Sequence, residues 1–282
     1  MFQAARGLEP SGTCDRGTWS SLIEAGYRLG DRMLYWRAPM LRGDDVVDLQ
    51  QRLNALGFDA GRVDGMFGPD TDRALRAFQR NAGLVVDGLC GWKSSRALQR
   101  LRSKGPESDP NALRESVRLA GAPTTLRGRR VALGERGGMG AFVREVERAL
   151  TAEGAVVTLL SNPDDSILAA QTNMSASEVY LGVALSPTSH ACRASYWGAH
   201  GKVSPAGRRL AGLLLDELSI SGAGTDGPPA PMATPILRET RMPAVVLELG
   251  PARFVVERAA IAAGAIARGL SRWADGPCLD LS

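Results

Sequence analysis

The stretch 242-MPAVVLELGPARF-254 carries the pattern from which the fold is read. Ala244 through Leu247 are apolar, Leu249 is apolar again, and Gly250-Pro251 ends the run. A short apolar run bounded by such breakers reads as a strand buried in a sheet. One acid, Glu248, sits at its far end. A lone carboxylate is costly to desolvate, so Glu248 calls for a partner or a task.

Working outward, the residues from Arg129 onward alternate between strand-like and helix-like patterns. Strands are expected at Val131 to Leu133, Ala155 to Leu160, Glu178 to Leu185 and Val245 to Leu249. Helices are expected at Gly140 to Glu153, Pro205 to Leu218 and Val255 to Trp273, each with an apolar stripe. Such alternation predicts an α/β domain over 129–276, with a largely parallel sheet flanked by helices. Ligands of such sheets bind beyond the strand C-termini, where Glu248 lies. The stretches 186–202 and 222–235 read as loops, the second as a binding lid or as disorder.

The 282 residues suffice for about two domains. A formal net charge of +4, with no basic block interleaved with aromatics, gives no argument for nucleic acid. No apolar run approaches the roughly 18 residues of a membrane span. The four cysteines, Cys14, Cys90, Cys192 and Cys278, form no Cys-Xaa-Xaa-Cys pair, which speaks against a zinc ribbon. The only histidines are His190 and His200.

An internal repeat organises the other half. At an offset of 76, Phe2, Gln3, Gly7, Leu8, Gly12, Cys14 and Leu22 recur as Phe78, Gln79, Gly83, Leu84, Gly88, Cys90 and Leu98. The second copy is preceded by a stripe of Val46, Leu49, Leu53 and Leu56, the turn signals Asp64-Gly65 and Gly68-Pro69, and a helix from about Asp70. With a third helix near Lys93 it predicts a small three-helix unit over 43–102. Residues 1–24 then correspond to the C-terminal half of such a unit, with 25–42 and 103–128 as linkers. A half repeat implies a true start upstream of Met1.

The pattern Gly43-Asp44, Leu49-Gln50, Asp64-Gly65, Phe67-Gly68, Phe78-Gln79 and Asp87-Gly88 resembles the peptidoglycan-binding domain family. The resemblance implies binding of peptidoglycan or its precursors. Most of these residues are themselves read as packing the unit and its turns. The second half is similar to the zinc-dependent N-acetylmuramoyl-L-alanine amidases (amidase type 3). The similarity rests on 237-LRETRMPAVVLELG-250, Gly137-Gly138, Gly154 before its strand, and Asn173 before the Tyr180 strand. Repeats followed by this domain resemble the actinobacterial CwlM-type proteins.

That family's chemistry is metal hydrolysis, with zinc held by His, Glu and His. Glu248 matches the family's general base. The zinc ligands have no match: Arg136 stands where the first His is expected, and Ala184 where the last is expected. The ligand Glu falls in a segment absent between Gly138 and the next helix. Arg136 is instead expected as an ion-pair partner of Glu248. His190, Cys192 and His200 are the only residues offering an alternative metal set.

Three readings follow. The first is a catalytically inactive, amidase-like regulator of cell wall biosynthesis, without cofactor. It would be cytoplasmic and would have enzymes of precursor synthesis as partners. The second is an active amidase with relocated zinc ligands, cleaving between N-acetylmuramic acid and the stem peptide. The third is a passive wall-binding module.

Overall fold

The computed structural model describes residues 1–100, 115, 123–186, 191–199 and 202–276. The chain divides into two units, one of residues 10–111 and one of residues 1–9 with 112–282. No helix among the described residues is long and apolar enough to cross a membrane.

Helix α1 (Phe2–Ala5) belongs by its residues to the larger unit, whereas α2 (Arg16–Ala25) belongs to the smaller. The putting together of 1–24 as one half repeat is therefore not how the chain folds. Gly7 explains the break. Its carbonyl accepts from the Ala233 amide at 2.6 Å, which ties residues 1–9 to the larger unit.

Besides α2, three helices form the core of the smaller unit: α3 (Asp44–Ala55), α4 (Pro69–Asn81) and α5 (Trp92–Arg100). Val46, Leu49 and Leu53 of α3 meet Leu75 and Phe78 of α4 and Leu98 of α5 in one core. The Asp-Gly turns between the helices are pinned from inside by two buried glutamines. Gln50 Nε2 reaches Asp64 Oδ1 at 2.9 Å, the Met66 carbonyl at 3.0 Å and Thr71 Oγ1 at 3.2 Å, while its Oε1 accepts from the Gly65 amide. Gln79 does the same one helix later, with Asp87 Oδ1 at 2.8 Å, the Leu89 carbonyl at 3.1 Å, Ser94 Oγ at 3.2 Å, and the Gly88 amide on Oε1. Gly65 and Gly88 both have positive φ, 73° and 74°, which favours glycine there. The unit is thus a helix–turn–helix step used twice, with α4 shared.

Residues 25–42, expected as a linker, are not a free tether. Leu29, Leu34 and Leu41 are buried in the three-helix core. The Leu34 and Cys90 amides and carbonyls pair reciprocally, and the Leu41 carbonyl accepts from the Phe67 amide. Arg32 lies 3.7 Å from the Tyr27 ring and binds the buried Asp45 through Nε at 2.7 Å. The helices alone leave the chain after each turn uncovered, and this segment covers it.

In the larger unit the strands are β1 (Arg130–Glu135), β2 (Val156–Ser161), β3 (Val179–Leu185), β4 (Arg193–Ala199), β5 (Lys202–Val203), β6 (Ala230–Met232) and β7 (Ala244–Leu249). The helices are α6 (Gly140–Ala152), α7 (Asp165–Met174), α8 (Pro205–Ile220), α9 (Pro235–Glu239), α10 (Ala252–Glu257) and α11 (Ala259–Asp275). The sheet runs β2-β1-β3-β7-β4-β5, with β6 beside β4. β1, β2, β3 and β7 are mutually parallel, and β4 is antiparallel to β7. This is the expected α/β layer architecture, with a mixed, mostly parallel sheet.

Three expectations are corrected. The stretch 186–202, read as an irregular loop, contains β4, with Ala194 and Tyr196 buried on one side and Trp197 on the other. The stretch 222–235, read as a lid or disorder, contains β6. Its Pro231 is tolerated because the strand is short and peripheral. The last helix is broken at Arg258, whose φ of −126° lies outside the helical region, giving α10 and α11.

Alternation of side chains makes two cores. Val131, Leu133, Leu181, Val183, Val245 and Leu247 pack on α6, α8 and α11. Ala132, Tyr180, Ala244 and Val246 face Leu168 and Ala169 of α7 and Ile236 and Leu237 of α9. Ser204 caps α8 through the Gly207 amide, and Asp164 caps α7 through the Ser166 and Ile167 amides. Glu217 of α8 accepts from Arg268 Nε at 2.8 Å and Arg272 Nη1 at 3.0 Å, tying α8 to α11.

Two measurements check these packing arguments. Replacing Gln79 by Leu leaves a turn amide, a carbonyl and two side chains short of a partner. The expected loss is about 1–3 kcal/mol, read as a lower urea midpoint, with Gln50→Leu behaving alike. The Arg268 hydrogen bond, with that of Arg272, holds the Glu217 carboxyl below its ordinary value of 4.5. A depressed folded value means this stabilisation is present above the unfolded value and lost as pH falls through the folded one. Both arginines are half-exposed and the pair is screened. Glu217→Gln should therefore cost about 1 kcal/mol at neutral pH, with the difference from wild type shrinking as pH falls below 4.5 toward the depressed folded value.

Candidate functional site

Glu248 is the penultimate residue of β7, and the ladder places it in a row across the sheet. Ala184 pairs with it from β3, and Arg193 faces it from β4. In β1, Glu135 pairs with Val183, so Arg136, the next residue, comes into line with Ala184. The row therefore reads Arg136, Ala184, Glu248, Arg193, at the C-terminal edge of the parallel strands. Glu248 shares the face of Ala244 and Val246, toward α7 and α9.

Glu248 is partly exposed rather than buried. The desolvation cost that seemed to require a partner is relieved by solvent. Arg136 does not pair with it. The Arg136 guanidinium makes two parallel hydrogen bonds to Asp165, Nε to Oδ1 and Nη2 to Oδ2, both at 2.7 Å. The reason is positional: β3 separates β1 from β7, so Arg136 and Glu248 begin about 10 Å apart. Asp165, in the first turn of α7, is within reach of Arg136, and a fork of two bonds is the strong geometry for a guanidinium. Arg193 is the basic residue opposite Glu248. Its Nε donates to Asp226 at 2.7 Å, and its pKa is raised by Asp226 first, with smaller contributions from Glu9 and Glu248.

Below the row lies Tyr180, buried on the same face. A side chain at Gly134 or Gly182 would run into its hydroxyl end, so both glycines make room for the ring. Burial pushes the Tyr180 phenol up, Asp165 pushes it further, and Arg136 opposes. The hydroxyl therefore stays protonated and lies within the field of the Arg136–Asp165 pair. Sequence reading missed Asp165, Arg193, Asp226 and Tyr180. The Glu248 strand and the positions of Arg136 and Ala184 were visible in the linear pattern.

The rest of the loop following β1 is held by Glu135. Its Oε2 accepts from the Met139 amide at 2.8 Å and its Oε1 from Ser161 Oγ at 3.1 Å. Gly137 and Gly138, with φ of 119° and 83°, let the chain turn directly into α6. Glu145 sits on α6 paired with Arg148, as a surface ion pair.

Of the alternative metal set only Cys192 is among the described residues, and it lies away from Glu248. Cys192 is fully buried in the core on the other face of the sheet, with Sγ 3.6 Å from the Gly250 carbonyl. Burial raises its pKa, which disfavours the thiolate that binds metal. His190 and His200 lie outside the described residues. Among the described residues no three His, Cys, Asp or Glu side chains converge as a metal site. The row itself offers one carboxylate, one methyl group and two guanidiniums, and a guanidinium has no lone pair to donate. Such a donor set does not fit zinc, which takes three protein ligands in catalytic sites.

The residues Asp64, Gly65, Gln79, Asp87 and Gly88 of the smaller unit are occupied in the two glutamine-centred turns. Phe67 and Phe78 are buried in its core, and Gly68 precedes α4. Most of them shape the turns and core, while Asp87 lies at the surface.

The peptidoglycan binding domain family matches residues 42–98. The chain is 33% identical over 287 residues to the N-acetylmuramoyl-L-alanine amidase CwlM of Mycobacterium tuberculosis, covering 88% of this chain and 69% of that protein. It is 54% identical over 56 residues to a spore cortex-lytic enzyme of Bacillus cereus, spanning 20% of this chain and 22% of that enzyme. Among solved structures, the N-acetylmuramyl-L-alanine amidase Ami1 of Mycobacterium smegmatis overlaps 53% of this chain and 98% of its own, at 17% identity and a TM-score of 0.45.

The Gly134 and Tyr180 packing can be tested directly. Gly134→Ala forces the buried Tyr180 ring aside, with an expected loss of about 1–3 kcal/mol. Thermal unfolding should show it. An unchanged midpoint would mean that the ring is free to move.

Proposed function

The chain belongs to the CwlM family of N-acetylmuramoyl-L-alanine amidases, and on that premise we propose that it binds peptidoglycan or its precursors without cleaving them. It is a cell wall protein of the amidase family, with a peptidoglycan-binding unit. In the proposal its amidase-like unit has become a regulator of wall biosynthesis, acting in the cytoplasm beside the enzymes that make the precursor.

One observation carries this reading. Arg136, fixed by two bonds to Asp165, stands in line with Glu248, at the position where the resemblance to the family leads one to expect a metal-binding histidine. A cation that cannot ligate has taken that position, and Ala184 beside it cannot ligate either. Glu248 is the family's base retained without the ion that would generate its nucleophile.

The row still has binding chemistry. Two guanidiniums flank one carboxylate at the strand ends, each guanidinium held by an acid of its own. A stem peptide offers carboxylates to Arg136 and Arg193, and amide N–H groups to Glu248. Such charge-assisted contacts orient a ligand without reacting with it.

The test uses the full chain. Metal analysis of the purified protein should give well under one zinc per chain, and muropeptides incubated with it should release no stem peptide. Added to a precursor-synthesis reaction, the protein should change its rate. Stoichiometric zinc, with stem-peptide release abolished by Glu248→Gln, would establish an active amidase instead. A protein that holds muropeptides but never alters synthesis would be a passive wall-binding module.

A further inference from the structure

The sheet of the larger unit ends at β2, and among the described residues no strand lies beyond it. The Val156 amide donates to the Arg129 carbonyl, and the Asn162 amide donates to the Glu135 carbonyl. Backbone groups of alternate residues point to opposite sides of a strand, so Val156, Thr158, Leu160 and Asn162 serve β1. The N–H and C=O groups of Val157, Leu159 and Ser161 therefore point away from the sheet.

Proteins guard such an edge with charges, proline, a bulge or a covering element. Residues 154–162 carry no charged side chain and no proline, and β2 pairs with β1 without a bulge along its 6 residues. Val157 packs on the core under α6, α8 and α11, and Leu160 on the core under α7 and α9. By alternation Leu159 shares the first face and Val156 the second. These two are exposed, Val156 at 55% and Leu159 at 41%. The edge is thus open along its backbone and apolar on both faces.

The chemistry of the strand selects its partner. A neutral stretch gives a charged peptide nothing to recognise, whereas the strand is complementary to itself. Let a second copy lie antiparallel to it, with a two-fold axis at Leu159. Val157 then exchanges both backbone hydrogen bonds with Ser161 of the second copy, and Leu159 does so with its own equivalent. The two Leu159 side chains cover each other on one face. On the other face Leu160 falls opposite Thr158 of the second copy, and Val156 reaches Leu160 of the second copy on the diagonal. No like charges meet along the ladder. At its ends Gly154 falls opposite Asp164 of the second copy. The Arg127 Cα lies 3.2 Å from where a Gly154 side chain would begin, which brings a cation to that acid. Arg127 and Asp164 are both exposed.

We infer that β2 is the interface of a two-fold homodimer, in which two sheets join through antiparallel β2 strands into one continuous sheet. Such a contact uses up the same edge in both copies, so assembly stops at two.

The test is sedimentation equilibrium of the full chain over a range of concentrations. Wild type should be a dimer in equilibrium with monomer. Leu159→Lys sets two ammonium groups against each other at the axis, and Leu159→Glu sets two carboxylates there. Each variant alone should be monomeric, and an equal mixture should form a heterodimer, because opposite charges then face each other. That recombination separates a contact across the axis from damage to the fold. A second measurement uses Leu159→Cys, with Cys14 and Cys278 replaced by serine. Residues paired in this way have Cα atoms about 5.5 Å apart, within disulfide range, so oxidised glutathione should trap a covalent dimer. A wild type that stays monomeric at its highest soluble concentration overturns the inference. So does a dimer that both charged variants keep, or a cysteine variant that stays uncrosslinked.

Discussion

The larger unit depends on the ladder that holds β7 between β3 and β4. Period-two alternation leaves no freedom once that register is set. Val245, Leu247 and Leu249 go to the core under α6, α8 and α11, and Val246 goes to the core under α7 and α9. Glu248 must then emerge on the second face, at the edge where the parallel strands end. A slip of one residue would bury Glu248 beneath the helices and expose Leu247. The same ladder fixes which residues can be its neighbours. Ala184 and Arg193 are direct partners, and Arg136 is two strands away.

That geometry decides the electrostatics. Each guanidinium in the row finds an acid on a flanking element, Asp165 for Arg136 and Asp226 for Arg193. Glu248 is left to solvent and to the field of Arg193. Metal catalysis asks for converging lone pairs, whereas this edge presents one carboxylate beside two guanidiniums, each bonded to an acid of its own.

The smaller unit follows a different rule. Its turns are held by polar side chains inside the core, not by apolar packing alone. Gln50 and Gln79 each satisfy four groups of an Asp-Gly turn, so the sequence pattern of the family is in large part a description of these two knots. This separates structural residues from surface ones. Gln50, Gln79, Phe67 and Phe78 of the motif are buried, whereas Asp87 lies at the surface.

Much was legible in the linear chain. The strand at 244–249, the helices beginning at Gly140 and Pro205, and the three-helix unit were all evident from local pattern, because buried periodicity and Gly, Pro and Asp punctuation are local properties. So was the misfit between Arg136 or Ala184 and any metal, since it depends only on which atoms those side chains carry. What the sequence could not supply were the pairings. Strand β4 was hidden because 193-RASYWGA-199 acquires its burial only beside β7, some fifty residues later. The partner of Arg136 was misassigned because a salt bridge depends on how far apart two strands lie, and strand order is a tertiary fact. Segment 25–42 looked like a tether because its leucines are spaced for no single element, and become core only against helices distant in sequence. The chain by itself determined which groups could do chemistry, through their atoms and their periodicity. Only the folded sheet decided which of them meet, because contact is set by register and strand order rather than by neighbourhood along the chain.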